Sequence, residues 1–360
     1  MKNFTAGASR WANNDARANG LESANDLVQR TLAQHGLVPG QKAVSGGSLP
    51  SMNALMARLV PQGGNLSPQA APVPEGAEFR QGIHTGKAGS RNYRTYVPAS
   101  IKGGARGIVV MLHGCTQNPE DFAAGTGMNA LAEKHRLIVI YPEQSRGDNA
   151  QSCWNWFSLG DQRRDRGEPE ILVGITRKAM AEHSVSPDRT FVAGLSAGAA
   201  MAVILGETYP DVFAAVGAHS GLPFGAAKDV PSAFVAMSGT AQEAPRRAST
   251  AAATRTIIFH GTADATVHPS NGDRIARDAM DRGPRQTIQQ DDQGSAGGRS
   301  FNRKITVAPD GTTALEHWTI DGLGHAWSGG QPAGSYTDAK GPDASAEMIR
   351  FFFNDADKET

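Results

Sequence analysis

The stretch Gly194-Leu195-Ser196-Ala197-Gly198 carries the strongest chemical signal in the chain. A serine with glycine two places before and two places after suits a sharp strand-to-helix turn, where side chains at the flanking positions would collide. The apolar run Phe191 to Ala193 precedes it, and an Ala-rich helical stretch follows. Such a turn holds the Ser196 hydroxyl at the rim of a sheet, near the positive end of a helix, and the chemistry that fits is nucleophilic acyl transfer. The structural alternative is a Gly-flanked serine packing a tight turn.

Acyl transfer needs oxyanion donors, a base and an acid. The backbone N–H of Ala197, directly after the serine, is one candidate donor. The second falls in His113-Gly114-Cys115-Thr116, after the apolar run IVVML, and is assigned to the Cys115 N–H with Thr116 as the near alternative. TIIFHGTAD puts Asp264 just past a strand end, and this is the candidate acid. Asp273 is the reserve, expected in the helix that follows. The base is His325 in Gly322-Leu323-Gly324-His325-Ala326-Trp327, whose small neighbours let the ring turn toward the serine. The order Ser, Asp, His along the chain fits a parallel-sheet hydrolase. Of the other histidines, His113 and His260 end strands and read as structural hydrogen-bonders, His219 and His268 as loop residues, and His317 as a strand position. This chemistry calls for no metal and no organic cofactor.

Trp154 and Trp156 in CWNWF, and Trp327 after the histidine, are aromatic residues near these loops. With Thr116, Trp154 and Trp327 are candidate walls of a substrate pocket, and the alternative for each tryptophan is packing beneath a loop. Cys115 and Cys153 are too few for a disulfide scaffold or a four-cysteine zinc site. They are either two buried thiols or one disulfide that pins the Cys115 loop to the Trp loop.

The elements that must position these residues follow from the hydrophobic pattern. FRQGIHTG and SRNYRTYVP read as an antiparallel lead-in. Compact β-branched runs then alternate with helical stretches: GIVVMLHG, helix Asp121 to His135, LIVIYPE, helix Ile171 to His183, TFVAG, helix Ala199 to Tyr209, AAVGAHSG and TRTIIFHGTAD. That alternation predicts an α/β fold with a mostly parallel central sheet and helices on both faces. NRKITVAP and TALEHWTID flank a turn at Pro309-Asp310-Gly311, and a last helix covers Ala344 to Phe353. Ser238 to Thr254 and Gly283 to Arg299 read as long mobile surface loops. Residues 1–79, rich in Gly, Ser, Pro and Ala, read as a mostly flexible extension with short helices at Ser23 to Gln34 and Met52 to Leu59, and residues 80–356 as the catalytic domain.

Composition narrows the function classes. Lys plus Arg and Asp plus Glu are both 35, so the chain has no electrostatic footprint for nucleic acid or an anionic membrane. No run approaches the ~18 apolar residues of a membrane span. The N-terminus lacks the apolar core of a secretory leader, which makes the cytoplasm the default compartment on sequence grounds. Oligomeric state has no sequence signal.

Together the blocks LHGCTQNPEDFAAGTGMNALAEKH, YPEQ, CWNWF, DRTFVAGLSAGAAMA, HGTADATVHPSN and GLGHAWSGG resemble the polyhydroxybutyrate (PHB) depolymerase family of esterases, which is similar to feruloyl and acetylxylan esterases. The resemblance covers about residues 80 to 355. It implies an α/β-hydrolase fold, a triad at Ser196, His325 and Asp264, an oxyanion donor at Cys115, and an extracellular setting. Polymer-degrading members commonly carry binding modules after the catalytic domain, whereas this chain ends at FFFNDADKET. The expected substrates are therefore small esters and soluble hydroxyalkanoate oligomers ahead of crystalline polymer, with feruloyl or acetyl esters of plant polysaccharide as the second reading. A non-catalytic binding protein on the same scaffold would require a broken triad, and all three positions are filled.

Overall fold

A computed structural model describes residues 73–241, 254–283 and 287–353. The predicted helices at 23–34 and 52–59, nearly all of the extension and the centre of the 238–254 loop lie outside the described residues.

Ten strands form one sheet in the order β1-β2-β4-β3-β5-β6-β7-β10-β9-β8. The hairpin β1 (Glu78–Gly86) and β2 (Gly89–Val97) forms one antiparallel edge. The centre is parallel: β4 (Leu137–Pro142), β3 (Gly107–Leu112), β5 (Thr190–Leu195), β6 (Ala215–His219), β7 (Arg255–Gly261) and β10 (Thr313–Ile320). The antiparallel pair β9 (Arg299–Val307) and β8 (Ile288–Ala296) closes the other edge.

The central strands are apolar on both faces because both faces are covered. In β3 the pleat sends Ile108, Val110 and Leu112 to one core and Val109 and Met111 to the other. The first core takes α3 (Gly167–His183), α4 (Ala197–Thr208), and apolar residues of α5 (Val230–Met237) and α6 (Ser270–Arg282). The second takes α1 (Pro119–Thr126), α2 (Met128–His135) and α7 (Ala344–Phe353), with Phe191 of β5 stacked at 4.8 Å on Phe352. A short parallel pair, β11 (Trp327–Ser328) and β12 (Thr337–Asp338), lies apart from the main sheet.

Two expectations need correction. The helix expected over 121–135 is two helices, because Gly127 adopts φ 64° and serves as the C-cap of α1 and the N-cap of α2. The segment 283–299, expected to be a loop, is largely β8. This is an edge strand whose residues are mostly exposed, so IQQDDQGSA lacks the apolar alternation that marks a half-buried strand. The turn at Pro309-Asp310-Gly311 is present, with Gly311 at φ 82° and Ala308 N–H donating to Thr312 O at 2.9 Å.

Candidate active site

Parallel strands carry their functional loops at the carboxyl edge, and five neighbouring strands do so here: β3, β5, β6, β7 and β10. Ser196 follows β5 at φ 58° and ψ −119°, a backbone conformation that L-residues hold only when their surroundings impose it. The flanking glycines answer a measurable steric demand. A Cβ on Gly198 would lie 2.0 Å from Leu112 O, and one on Gly194 would lie 2.4 Å from Gly198 C. Helix α4 starts directly after Ser196, so its uncapped N–H groups face the serine.

Next to Ser196, the loop after β3 holds Cys115. Among the described residues no hydrogen bond engages the N–H of Cys115 or of Ala197. The Thr116 N–H, by contrast, donates to Gln151 O at 2.8 Å, which removes the near alternative as an oxyanion donor. Cys115 and Cys153 form a disulfide, so of the two states left open by the sequence the structure takes the bonded one.

His113 orders the same loop from below. Its Nδ1 lies 2.8 Å from Gly114 O, and its Nε2 accepts from Gln144 N–H at 3.1 Å, a pairing that requires the neutral ring with the proton on Nδ1. Burial pushes its pKa down to about 4. Gln117 accepts from Gly114 N–H at 2.9 Å and donates to Asp121, while Ser335 N–H and Oγ also donate to the Asp121 carboxylate. The Ser335 contacts had no signal in the sequence, since Ser335 lies more than 200 residues from Gln117 and Asp121.

Two strands beyond β5, Asp264 follows β7, and beside it His325 follows β10. The pair meets with His325 Nδ1 at 2.8 Å from Asp264 Oδ2. The other carboxylate oxygen accepts from Thr266 N–H and Val267 N–H, both at 2.9 Å. Burial alone would raise the Asp264 pKa, but hydrogen bonds from His260, His325 and the Val267 N–H outweigh it and hold the carboxyl well below the usual range. The two loops are stitched by Ala263 N–H to Leu323 O at 3.0 Å, and a Cβ on Gly261 would come within 2.1 Å of that carbonyl.

The reserve acid Asp273 sits in α6, 63% exposed, beside His317 instead of His325. His113 and His260 are structural hydrogen-bonders as expected. His219 is not a loop residue: it ends β6 and is fully buried.

The pocket assignment changes. Trp154 and Trp327 are 0% and 1% exposed, so neither forms an open wall. The Trp154 indole donates to His113 O at 3.0 Å, and that of Trp327 donates to Ser345 Oγ at 3.1 Å. Both tryptophans are packed beneath loops, each with its polar edge satisfied. Thr116 is exposed at φ 67°, with its hydroxyl 3.2 Å from that of Tyr336, a residue the sequence reading did not single out. Among the described residues no His, Cys, Asp and Glu cluster could hold a metal ion, and no helix is long and apolar enough to cross a membrane.

Comparison with known proteins agrees with this architecture. Poly(3-hydroxyalkanoate) depolymerase C of Paucimonas lemoignei is 35% identical over 241 residues, 64% of this chain and 57% of that protein. Poly(3-hydroxybutyrate) depolymerase of Ralstonia pickettii is 28% identical over 253 residues, 65% of this chain and 51% of the relative. The chain thus spans little more than half the length of these relatives. Acetylxylan esterase A of Aspergillus oryzae is 28% identical over 231 residues, 60% of this chain and 72% of that enzyme. Among solved structures, an acetyl xylan esterase from Aspergillus awamori superposes with a TM-score of 0.59 at 19% identity, covering 76% of this chain and 99% of its own, which establishes the α/β-hydrolase fold. The family model described as esterase PHB depolymerase matches residues 91–289, more than half of the chain, a span that includes Cys115, Ser196 and Asp264. The chain belongs to the PHB depolymerase family of esterases.

Proposed function

We propose that the chain is a serine carboxylesterase in which Ser196 is the nucleophile, His325 the general base and Asp264 its orienting acid. The observation that carries the reading is the 2.8 Å bond from His325 Nδ1 to a buried Asp264 carboxylate, on loops of the same sheet edge that bears the Ser196 turn. With Nδ1 committed to Asp264, the His325 Nε2 is the atom left to take the Ser196 proton as the hydroxyl attacks the ester carbonyl. The N–H groups of Cys115 and Ala197 receive the developing oxyanion. His325 then returns the proton to the leaving alcohol, and water repeats the sequence on the acyl-enzyme.

The proposed substrates are short hydroxyalkanoate esters and oligomers, supported by the names of the two bacterial relatives. Acetyl or feruloyl esters of plant polysaccharide are the second reading, favoured by the fungal relative and by the superposed esterase. A panel of hydroxybutyrate oligomers, acetylated xylan, methyl ferulate and p-nitrophenyl esters of graded chain length separates them. Ser196→Ala should lower kcat by roughly four to six orders of magnitude and abolish fluorophosphonate labelling. Labelling that persists in Ser196→Ala overturns the reading.

A further inference from the structure

One buried group touches both halves of the site and has no part in the chemistry above. His219 ends β6, the strand between the one that bears Ser196 and the one that bears Asp264. Its main-chain carbonyl accepts from Ser196 N–H at 2.9 Å, so it holds the strained turn from its far side. Its ring Nε2 accepts from Ser328 N–H at 3.0 Å, three residues after His325. The ring is fully buried and lies between Phe259 at 5.8 Å and Trp327 at 5.2 Å, nearly parallel to both. We propose that His219 is a positioning residue of this esterase site, coupling the Ser196 turn to the His325 loop through its carbonyl on one side and its unprotonated Nε2 on the other. The proposal rests on the esterase reading above.

The Ser328 N–H is a donor, so Nε2 must carry a lone pair and the ring proton must sit on Nδ1, which lies 3.3 Å from Ser220 Oγ. Burial keeps the ring neutral by pushing its pKa down to about 3, with the neighbouring His260 and His325 adding to the effect and Asp264 opposing it. Stacking of the ring on Phe259 and Trp327 restricts its rotation and so the direction of its acceptor. Downstream, Trp327 N–H donates to Tyr336 O at 2.7 Å and Ser328 Oγ donates to Pro342 O at 2.8 Å. The His219 bond ties this anchored stretch to β6, the strand whose end also holds the Ser196 N–H. A loop freed from it leaves His325 paired with Asp264 but no longer registered against Ser196, and small misplacements of a base are expensive in rate.

The test compares His219→Gln with His219→Met in the full chain, on p-nitrophenyl butyrate. The two side chains share length and volume, but only glutamine presents an acceptor where Nε2 stood, so lost stacking is common to both. We expect His219→Met to fall about tenfold or more below His219→Gln in kcat and in fluorophosphonate labelling rate, with KM within about twofold. Equal kcat in the two variants, or a loss carried by KM alone, overturns the coupling. Should the methionine variant not fold, nitrogen-15 NMR of the histidine-labelled wild type decides. A His219 ring bearing its proton on Nε2, or charged within the active pH range, overturns the proposal, whereas a bare Nε2 supports it. Ser196→Ala run alongside keeps the two readings apart. If it stays active the esterase assignment falls with everything built on it, and if it is dead while His219→Met matches His219→Gln, only the positioning role falls.

Discussion

The proposed oxyanion side and the proposed acid–base side of this site are fastened by different means. The Cys115 loop is held by a covalent bond to Cys153, by the Thr116 N–H to Gln151 O bond and by neutral His113 beneath it. The Asp264 and His325 loops have no covalent tie among the described residues. They rely on adjacent parallel strands, on the Ala263 N–H to Leu323 O bond and on neutral His219. An oxyanion donor need only sit still, so a covalent clamp costs it nothing in function. A base that takes and returns a proton changes charge in every cycle, and its support must tolerate that change, which a buried neutral acceptor does.

The largest expected effect strikes the acid–base side alone. Asp264→Asn keeps the shape and still offers an oxygen to Thr266 N–H and Val267 N–H, but its amide then faces His325 Nδ1. The ring must turn or change tautomer, and kcat should fall by about 10⁴, measured as steady-state ester hydrolysis with circular dichroism as a control for folding. A loss under about tenfold would mean that Asp264 does not set the His325 tautomer.

Reduction of the disulfide strikes the other side alone. Loosening one of two oxyanion donors should lower kcat by about ten- to a hundredfold, without moving the pH at which activity is half-maximal, because His325 and its partners are untouched. The sequence separation of 38 places the loss of stability at up to about 4 kcal/mol on chain-entropy grounds. Thiol titration, kcat and urea unfolding with and without reductant check both statements. A shift of the pH profile on reduction would erase the proposed independence of the halves.

Acid should weaken both sides together. His113 and His219 have folded pKa values pushed down to about 4 and about 3 by burial, from 6.5. A depressed pKa means that the unfolded chain binds more protons, so stability is intact above 6.5 and is lost as pH falls toward those values. Each group contributes up to about 1.4 kcal/mol per pH unit. Glu168 behind the Trp loop opposes them. Burial raises its pKa to about 7 from 4.5, so its contribution is present at low pH and lost as pH rises through 7. Urea unfolding between pH 7 and 5 should show a net loss of stability toward acid, and Glu168→Gln should steepen that slope. A slope unchanged by Glu168→Gln would show that its carboxyl titrates normally.

How much of this was legible in the sequence depends on the kind of interaction. The proposed Ser196, Asp264 and His325 stand out in the sequence because each sits at a strand end flagged by apolar runs and small residues, and because their order follows the chain; of these, the structure joins Asp264 to His325. The parallel sheet could be read for the same reason, since strands buried on both faces leave uninterrupted β-branched runs. β8 could not, because an exposed edge strand buries too little to pattern its residues. His219 reads as a loop residue because it falls at the end of the run AAVGAHSG, and its burial and its Ser328 partner come from packing across 109 residues. Trp154 and Trp327, expected as pocket walls, are buried instead, since sequence proximity to a loop says nothing about which face of the loop an indole meets.

The smallest effect separates the clamp from the strain beneath it. Thr116 adopts φ 67°, which a β-branched residue holds at a cost of about 1–3 kcal/mol. If the disulfide and His113 impose that backbone, Thr116→Gly should relieve strain at the expense of a more flexible unfolded chain. The net change in stability should then stay within about 1 kcal/mol of wild type. Activity should change by less than about threefold, because the proposed oxyanion donor is the preceding N–H and the lost hydroxyl contact to Tyr336 is exposed. If Thr116 itself positions the loop, the glycine variant should instead lose kcat as steeply as the reduced enzyme does. Measuring both in one series tells whether the loop is held by its neighbours or by its own backbone, and the covalent bond next to Thr116 argues for the neighbours.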